Sequence, residues 1–258
     1  MSYTHSESLA GKAVIITGSG RGVGRGIART LARNGAQLIL TDILDDAVAE
    51  AREELAALGA DVDSIAIDLR EPDAAEQIVG TAIDRFGRLD GLVNNAIAIN
   101  PASPFTSQTT DDFDLASDTG PRATFQLMKA AHPHLVAAGG GSIVNFGSGA
   151  GSAGEIGFAA YGAAKESIRG LTRVAAVEWG PDNIRVNVVL PFANSEGARI
   201  WEQQDPASYN AAMNSVPLKR IGDVEKDVGA LVSFLLSDDA TFLTAQSIHV
   251  AGGAGIHR

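Results

Sequence analysis

The chain has 258 residues, 45% of them hydrophobic and 29 of them glycine, which is enough to bury a large core and speaks against disorder. A formal net charge of −11 argues against a surface built for nucleic-acid phosphates or anionic lipid, leaving small molecules and further copies of the chain as the expected partners. There is no cysteine, so no disulfide and no thiolate chemistry, and neither a leader pattern in "MSYTHSESLAGK" nor a run of about 18 apolar residues stands out; the expectation is a cytoplasmic enzyme.

In chain order, short β-branched runs alternate with helical patterns. "AVIIT" (13–17), "QLILT" (37–41), "SIAI" (64–67), "GLV" (91–93), "SIVNF" (142–146), "IRVNVVL" (184–190) and "SIHV" (247–250) predict seven strands. Their hydrophobicity is continuous rather than alternating, as in a parallel sheet covered on both faces. Helices are predicted over roughly 22–34, 45–58, 72–86, 111–138, 161–179 and 224–236. No linker or repeat divides the chain, so one α/β domain over 1–258 is expected. Residues 191–223 form an unusually long connection, and Tyr209, Ala212 and Met213 at helical spacing predict a small lid helix within it. Gly120 and Pro121 interrupt the 111–138 pattern and predict a break or kink there.

The first strand runs directly into "TGSGRGVG" at 17–24. Gly18, Gly22 and Gly24 permit a tight turn and close backbone approach, so that free N–H groups at the following helix N-terminus face a pyrophosphate. Asp42 closes the second strand, where a carboxylate can accept the ribose hydroxyls of adenosine and repel a 2′-phosphate; NAD rather than NADP is expected. Arg21 argues the other way, since a basic residue in the loop could hold that phosphate. Further along, Tyr161 and Lys165 of "YGAAK" lie one helical turn apart, and an adjacent cation is expected to draw the phenol toward phenolate. His132 and His134, two residues apart on a helix, do not face one another and are not a metal pair.

"TGSGRGVG", "NNA" at 94–96, Ser148 in "IVNFGS" and "YGAAK" at 161–165 occur in the order and spacing of the classical short-chain dehydrogenases/reductases, and the chain resembles that family from Lys12 to "VAGG". The resemblance implies a Rossmann-like doubly wound fold, interconversion of an alcohol and a ketone with NAD(P), and a homodimer or homotetramer. It implies Tyr161 as general acid/base, Lys165 as the residue that binds the nicotinamide ribose and lowers the Tyr161 pKa, and Ser148 as the hydrogen-bond donor to substrate oxygen. Cofactor contacts would come from Gly18, Arg21, Gly22, Val23, Gly24, Asp42, Asp68, Leu69, Asn95, Ala96 and Pro191, besides Tyr161 and Lys165.

Four positions depart from the family pattern. Ile97 replaces a glycine beside the cofactor. Phe192 follows Pro191 where a glycine is usual, and Glu196 falls at a threonine position, with Ser195 offered by a one-residue shift. Gly120 stands where the family has a helix-kinking asparagine that holds a water in the proton path. These departures leave a second reading open, a catalytically impaired nucleotide-binding sensor or scaffold. Trp201, Tyr209 and Met213 would either line an apolar pocket or glue the lid to the body.

Overall fold

A computed structural model describes residues 8–254; the opening segment in which a leader pattern was sought, residues 1–7, lies outside the described residues. All seven apolar runs form strands: β1 (Ala13–Thr17), β2 (Gln37–Asp42), β3 (Val62–Ala66), β4 (Gly91–Asn94), β5 (Gly141–Phe146), β6 (Ile184–Pro191) and β7 (Ser247–Val250). They make one parallel sheet in the order β3-β2-β1-β4-β5-β6-β7. The helices are α1 (Gly22–Arg33), α2 (Asp45–Ala57), α3 (Ala74–Phe86), α4 (Thr110–Ser117), α5 (Ala123–Ala137), α6 (Gly149–Ala153), α7 (Ala159–Glu178), α8 (Glu196–Gln204), α9 (Pro206–Ser215) and α10 (Ala230–Leu236).

The apolar runs are continuous because both faces of the sheet are buried. Val14 and Ile16 of β1 pack with Ile27 and Leu31 of α1 and with Val232 and Leu235 of α10. Ile15, pointing the other way, packs with Ile78 of α3, Leu127 of α5 and Ala175 of α7. Strand order reverses between β1 and β4, so the connections that leave their carboxyl ends diverge and open a crevice there. The third strand starts two residues earlier than its sequence pattern suggests and ends at Ala66.

The irregularity expected at Gly120 and Pro121 is present, but as a change of helix type between α4 and α5 rather than as an end of the helix. α4 begins with a reciprocal capping box between Thr109 and Asp112, and helical geometry then continues without interruption into α5. Residues Asp118–Arg122 form one π-helical turn that contains Pro121. An extra residue in the turn accommodates the missing proline N–H without ending the helix. The single lid helix expected in 191–223 is two, α8 and α9.

Candidate active site

The glycine-rich loop after β1 is shaped by close approach. Gly18 has φ 64°, and a Cβ there would stand 3.0 Å from Ala96 Cα; at Gly24 a Cβ would meet the Gly18 carbonyl oxygen at 2.1 Å. Gly22, by contrast, faces open space, with nothing within 4 Å of its would-be Cβ. Arg21 precedes α1 without a side-chain cap, and the first turn carries no acid. The backbone N–H groups of this turn therefore lack a capping partner at the positive end of the helix, a setting that fits a pyrophosphate. Val23 is partly buried against the core, so only its backbone is available to that anion.

Asp42 accepts the Gly20 N–H through Oδ2 at 3.0 Å and the Leu44 N–H through Oδ1 at 3.2 Å, which fixes the carboxylate beside the loop. Arg21 is not free to await a phosphate: its guanidinium lies 3.1 Å from the Glu196 carboxylate at the start of α8. Past β3, Asp68 accepts the Arg70 N–H at 2.9 Å and its Nε at 3.0 Å, and this pairing holds the Asp68 pKa below the usual carboxylate range. Leu69 packs partly buried against the second core. Asn95, expected to line the ribose, directs its amide at the Thr17 and Gly18 carbonyls, 2.9 and 3.1 Å away. Thr17, which opens "TGSGRGVG" but is absent from the contacts expected from sequence, accepts the N–H groups of Asn95 and Ala96 through its hydroxyl at 3.1 and 3.0 Å. It thereby clips the β4 connection to the glycine loop.

At the other end of the crevice, Ser148 caps α6 by accepting the Ala150 N–H at 3.2 Å. Its hydroxyl also hydrogen-bonds the Tyr161 phenol in the sense that favours phenolate. Lys165 is only 3% exposed; its Nζ donates to the Phe146 carbonyl at 2.8 Å and lies 5.7 Å from the Tyr161 ring centre. No other acceptor reaches that ammonium among the described residues, which leaves donors to spare for a ligand's hydroxyls. The electrostatics expected from sequence require correction. Burial, aided by Glu155, pushes the Tyr161 phenol up despite Ser148, and burial alone pushes Lys165 down to about 7. Spacing in sequence suggests a cation lowering its neighbour, but desolvation of two buried groups outweighs that attraction.

A cleft beside Tyr161 is lined by Ile99, Asn100, Pro101, Gln108 and Phe158. Gln108 holds one wall, donating to the Ser103 and Gly157 carbonyls at 3.0 and 2.8 Å and accepting the Ala160 N–H at 2.9 Å. Sequence reasoning misses this clamp, because a lone glutamine in a polar loop carries no local signal. The Glu155 carboxyl is pushed up by partial burial.

Pro191 ends β6 opposite Val250, and the Phe192 N–H donates to the Val250 carbonyl at 2.9 Å. Ser195 caps α8 by accepting the Ala198 N–H, while Glu196 turns to Arg21. Trp201 and Tyr209 meet edge to face, with ring centres 5.2 Å apart, so these lid aromatics join α8 to α9. His132 packs against Trp179 with ring centres 4.7 Å apart and planes tilted by 45°, and lies 3.2 Å from the Asp182 carboxylate. Gly120 is buried, and the space beside it is taken by Ile97, whose Cδ1 would lie 3.0 Å from a Cβ at position 120.

Comparison with known proteins matches residues 18–255 to the family model described as enoyl-(acyl carrier protein) reductase. The chain is 41% identical over 252 residues to a 12alpha-hydroxysteroid dehydrogenase of Clostridium sp., covering 95% of this chain and 97% of that protein. It is 34% identical over 254 residues to trans-4-hydroxycyclohexanecarboxylate dehydrogenase of Sinomonas cyclohexanicum, covering 96% and 94%. Among solved structures, an NAD+-bound xylitol dehydrogenase superposes with a TM-score of 0.89 at 31% identity, covering 95% of this chain and 99% of that one.

Proposed function

The chain belongs to the short-chain dehydrogenase/reductase family and is an oxidoreductase acting on CH–OH groups, and on that footing we propose that it interconverts a secondary alcohol and a ketone with NAD. The observation that carries this reading is the Ser148–Tyr161 hydrogen bond beside a buried Lys165 whose ammonium has one protein acceptor and donors to spare. When bound, the dinucleotide supplies the hydride acceptor or donor for the carbinol carbon. Tyr161 exchanges the proton of the substrate oxygen, acting as base in oxidation and as acid in reduction. Ser148 donates to the same oxygen as negative charge builds on it. Lys165 holds ribose hydroxyls with the donors that the Phe146 carbonyl leaves free, and in its protonated form opposes the burial that raises the Tyr161 pKa.

Several features support NAD over NADP. Asp42 is locked at the loop rim, where it would repel a 2′-phosphate, and Arg21 is engaged by Glu196. The glycine cradle of Gly18, Gly22 and Gly24 would hold the pyrophosphate; Asp68, Leu69, Asn95, Ala96 and Pro191 would frame the rest of the dinucleotide. The relatives' names, hydroxysteroid and hydroxycyclohexanecarboxylate, denote secondary alcohols carried on rings, and a cyclic secondary alcohol is the substrate class we propose. We place the enzyme in the cytoplasm as a homodimer or homotetramer. Exposed Phe113, Phe125, Val174 and Val177 on α4, α5 and α7 offer an apolar face for self-association.

The test follows NADH and NADPH absorbance against a panel of cyclic secondary alcohols and ketones, for the wild type and Tyr161→Phe. Turnover with NAD that falls by at least about a hundredfold in the variant is expected, with dinucleotide binding retained. Unchanged turnover in Tyr161→Phe would overturn the mechanism. Tight NAD binding without turnover of any alcohol would instead favour the impaired sensor or scaffold.

A further inference from the structure

The segment after β4 is held from two sides. Thr17 accepts the N–H groups of Asn95 and Ala96, and Thr119, on the π-helical turn, accepts the Ala98 N–H at 2.9 Å while donating to the Leu115 carbonyl at 2.7 Å. Ile97, between these clips, packs its side chain against Ala116, Ala160 and Ala164. The fit depends on Gly120: a methyl group there would sit 3.0 Å from Ile97 Cδ1, 3.5 Å from Cγ1 and 3.8 Å from the Ala164 Cβ. Ala160 and Ala164 immediately precede Tyr161 and Lys165 on α7, so the stripe that Ile97 covers adjoins the stripe that bears the reactive pair. Ile97 is partly buried on this apolar cluster, and Lys165, which follows Ala164 in α7, has a single acceptor.

We propose that Ile97, seated in the hole left by Gly120, is a positioning residue that keeps water from reaching the Tyr161–Lys165 pair through the α4–α7 wall, so that the pair exchanges protons with solvent only through the open crevice. The proposal rests on the reading of Tyr161 and Lys165 as the acid/base pair. The charged group that faces the pair is Glu155, which acts on Tyr161; Lys165 has no carboxylate partner among the described residues, and its low proton affinity follows from burial. The neighbouring Glu166 pairs with Arg169 instead. A hole in the wall would admit water, and Lys165 would hold its proton to higher pH.

The chain has five lysines, few enough to follow each by carbon-13 NMR of labelled lysine, with Lys165 assigned by its loss in Lys165→Met. In the ligand-free protein, Ile97→Ala is expected to raise the Lys165 titration midpoint at least about tenfold in proton affinity. The acid limb of kcat for oxidation should move to lower pH with KM changed less than about twofold, a split that a merely structural defect would not produce. Gly120→Ala alone, which makes Ile97 yield by a few tenths of an ångström, should lower turnover about threefold, and adding Ile97→Val, which deletes the crowded Cδ1, should restore most of it. A folded Ile97→Ala variant with an unmoved Lys165 midpoint would overturn the proposal, as would a double variant no better than Gly120→Ala. The NMR titration needs no turnover, so failure here is distinguishable from failure of the dehydrogenase reading, which Tyr161→Phe tests.

Discussion

Lys165→Met should make the ligand-free protein more stable and useless as a catalyst. The wild-type ammonium is 3% exposed, and burial lowers its pKa from 10.5 to about 7. Between those two values the folded protein binds fewer protons than the unfolded chain. The penalty is therefore fully present below pH 7 and fades as pH rises toward 10.5. At pH 7.5 it amounts to about 4 kcal/mol, because a tenfold loss of proton affinity costs about 1.4 kcal/mol. Methionine gives back about 1 kcal/mol by losing the hydrogen bond to the Phe146 carbonyl, leaving a net gain of about 3. For a chain of this size that is a rise in Tm of roughly 6–10 °C, readable by calorimetry at pH 7.5. At pH 10.5 the ionisation penalty has almost gone, the lost hydrogen bond remains, and the variant should melt at or slightly below the wild type. Turnover should fall by roughly 10²–10⁴-fold at either pH. A Lys165→Met protein that melts below the wild type at pH 7.5, or shows the same change in Tm at both pH values, would refute the reasoning that desolvation governs this site.

Asp42→Ala removes the acceptor of the Gly20 N–H and the carboxylate that discriminates against a 2′-phosphate, so kcat/KM for NAD should drop by roughly tenfold to a hundredfold in steady-state assays. Adding Glu196→Gln releases Arg21 from its 3.1 Å ion pair, and the NADP/NAD preference should rise by about a further tenfold; an unchanged ratio would show that Arg21 does not face the adenosine end. Thr172→Val tests the frame rather than the chemistry. Thr172 is fully buried, accepts the Asn145 amide at 2.9 Å, and Asn145 in turn accepts the Asn94 amide at 2.8 Å. Valine would keep the shape and strand a buried N–H, costing about 1–3 kcal/mol and lowering Tm by several degrees, with kcat little changed well below the melt.

What is legible in the sequence and what is not divides by the range of the interaction. The seven strands, the glycine turn before α1 and the Tyr161–Lys165 spacing are written in residues that lie next to one another, and local patterns suffice for them. Pro121 misleads for a reason that is also local in origin but not in outcome. A proline lacks its N–H wherever it sits, yet the Thr109–Asp112 cap anchors the start of α4 and buried Leu127, Ala131 and Leu135 anchor α5, so widening one turn replaces breaking the helix. The direction of the Tyr161 pKa change is hidden because neighbouring charges can be counted along a chain, whereas burial is a property of the assembled crevice. The pairing of Ile97 with Gly120 is the sharpest case. Each residue, taken alone, is a departure from the family pattern, one a bulky side chain where a glycine is usual and the other a missing side chain where an asparagine is usual. Only the fold, by bringing residues 23 positions apart to a would-be contact of 3.0 Å, shows that the bulk gained at one is the space vacated at the other. Two departures that separately weaken the case for catalysis thus become one apolar wall behind the acid/base pair, and a wall built from two matched changes is better explained by a retained function than by the loss of one.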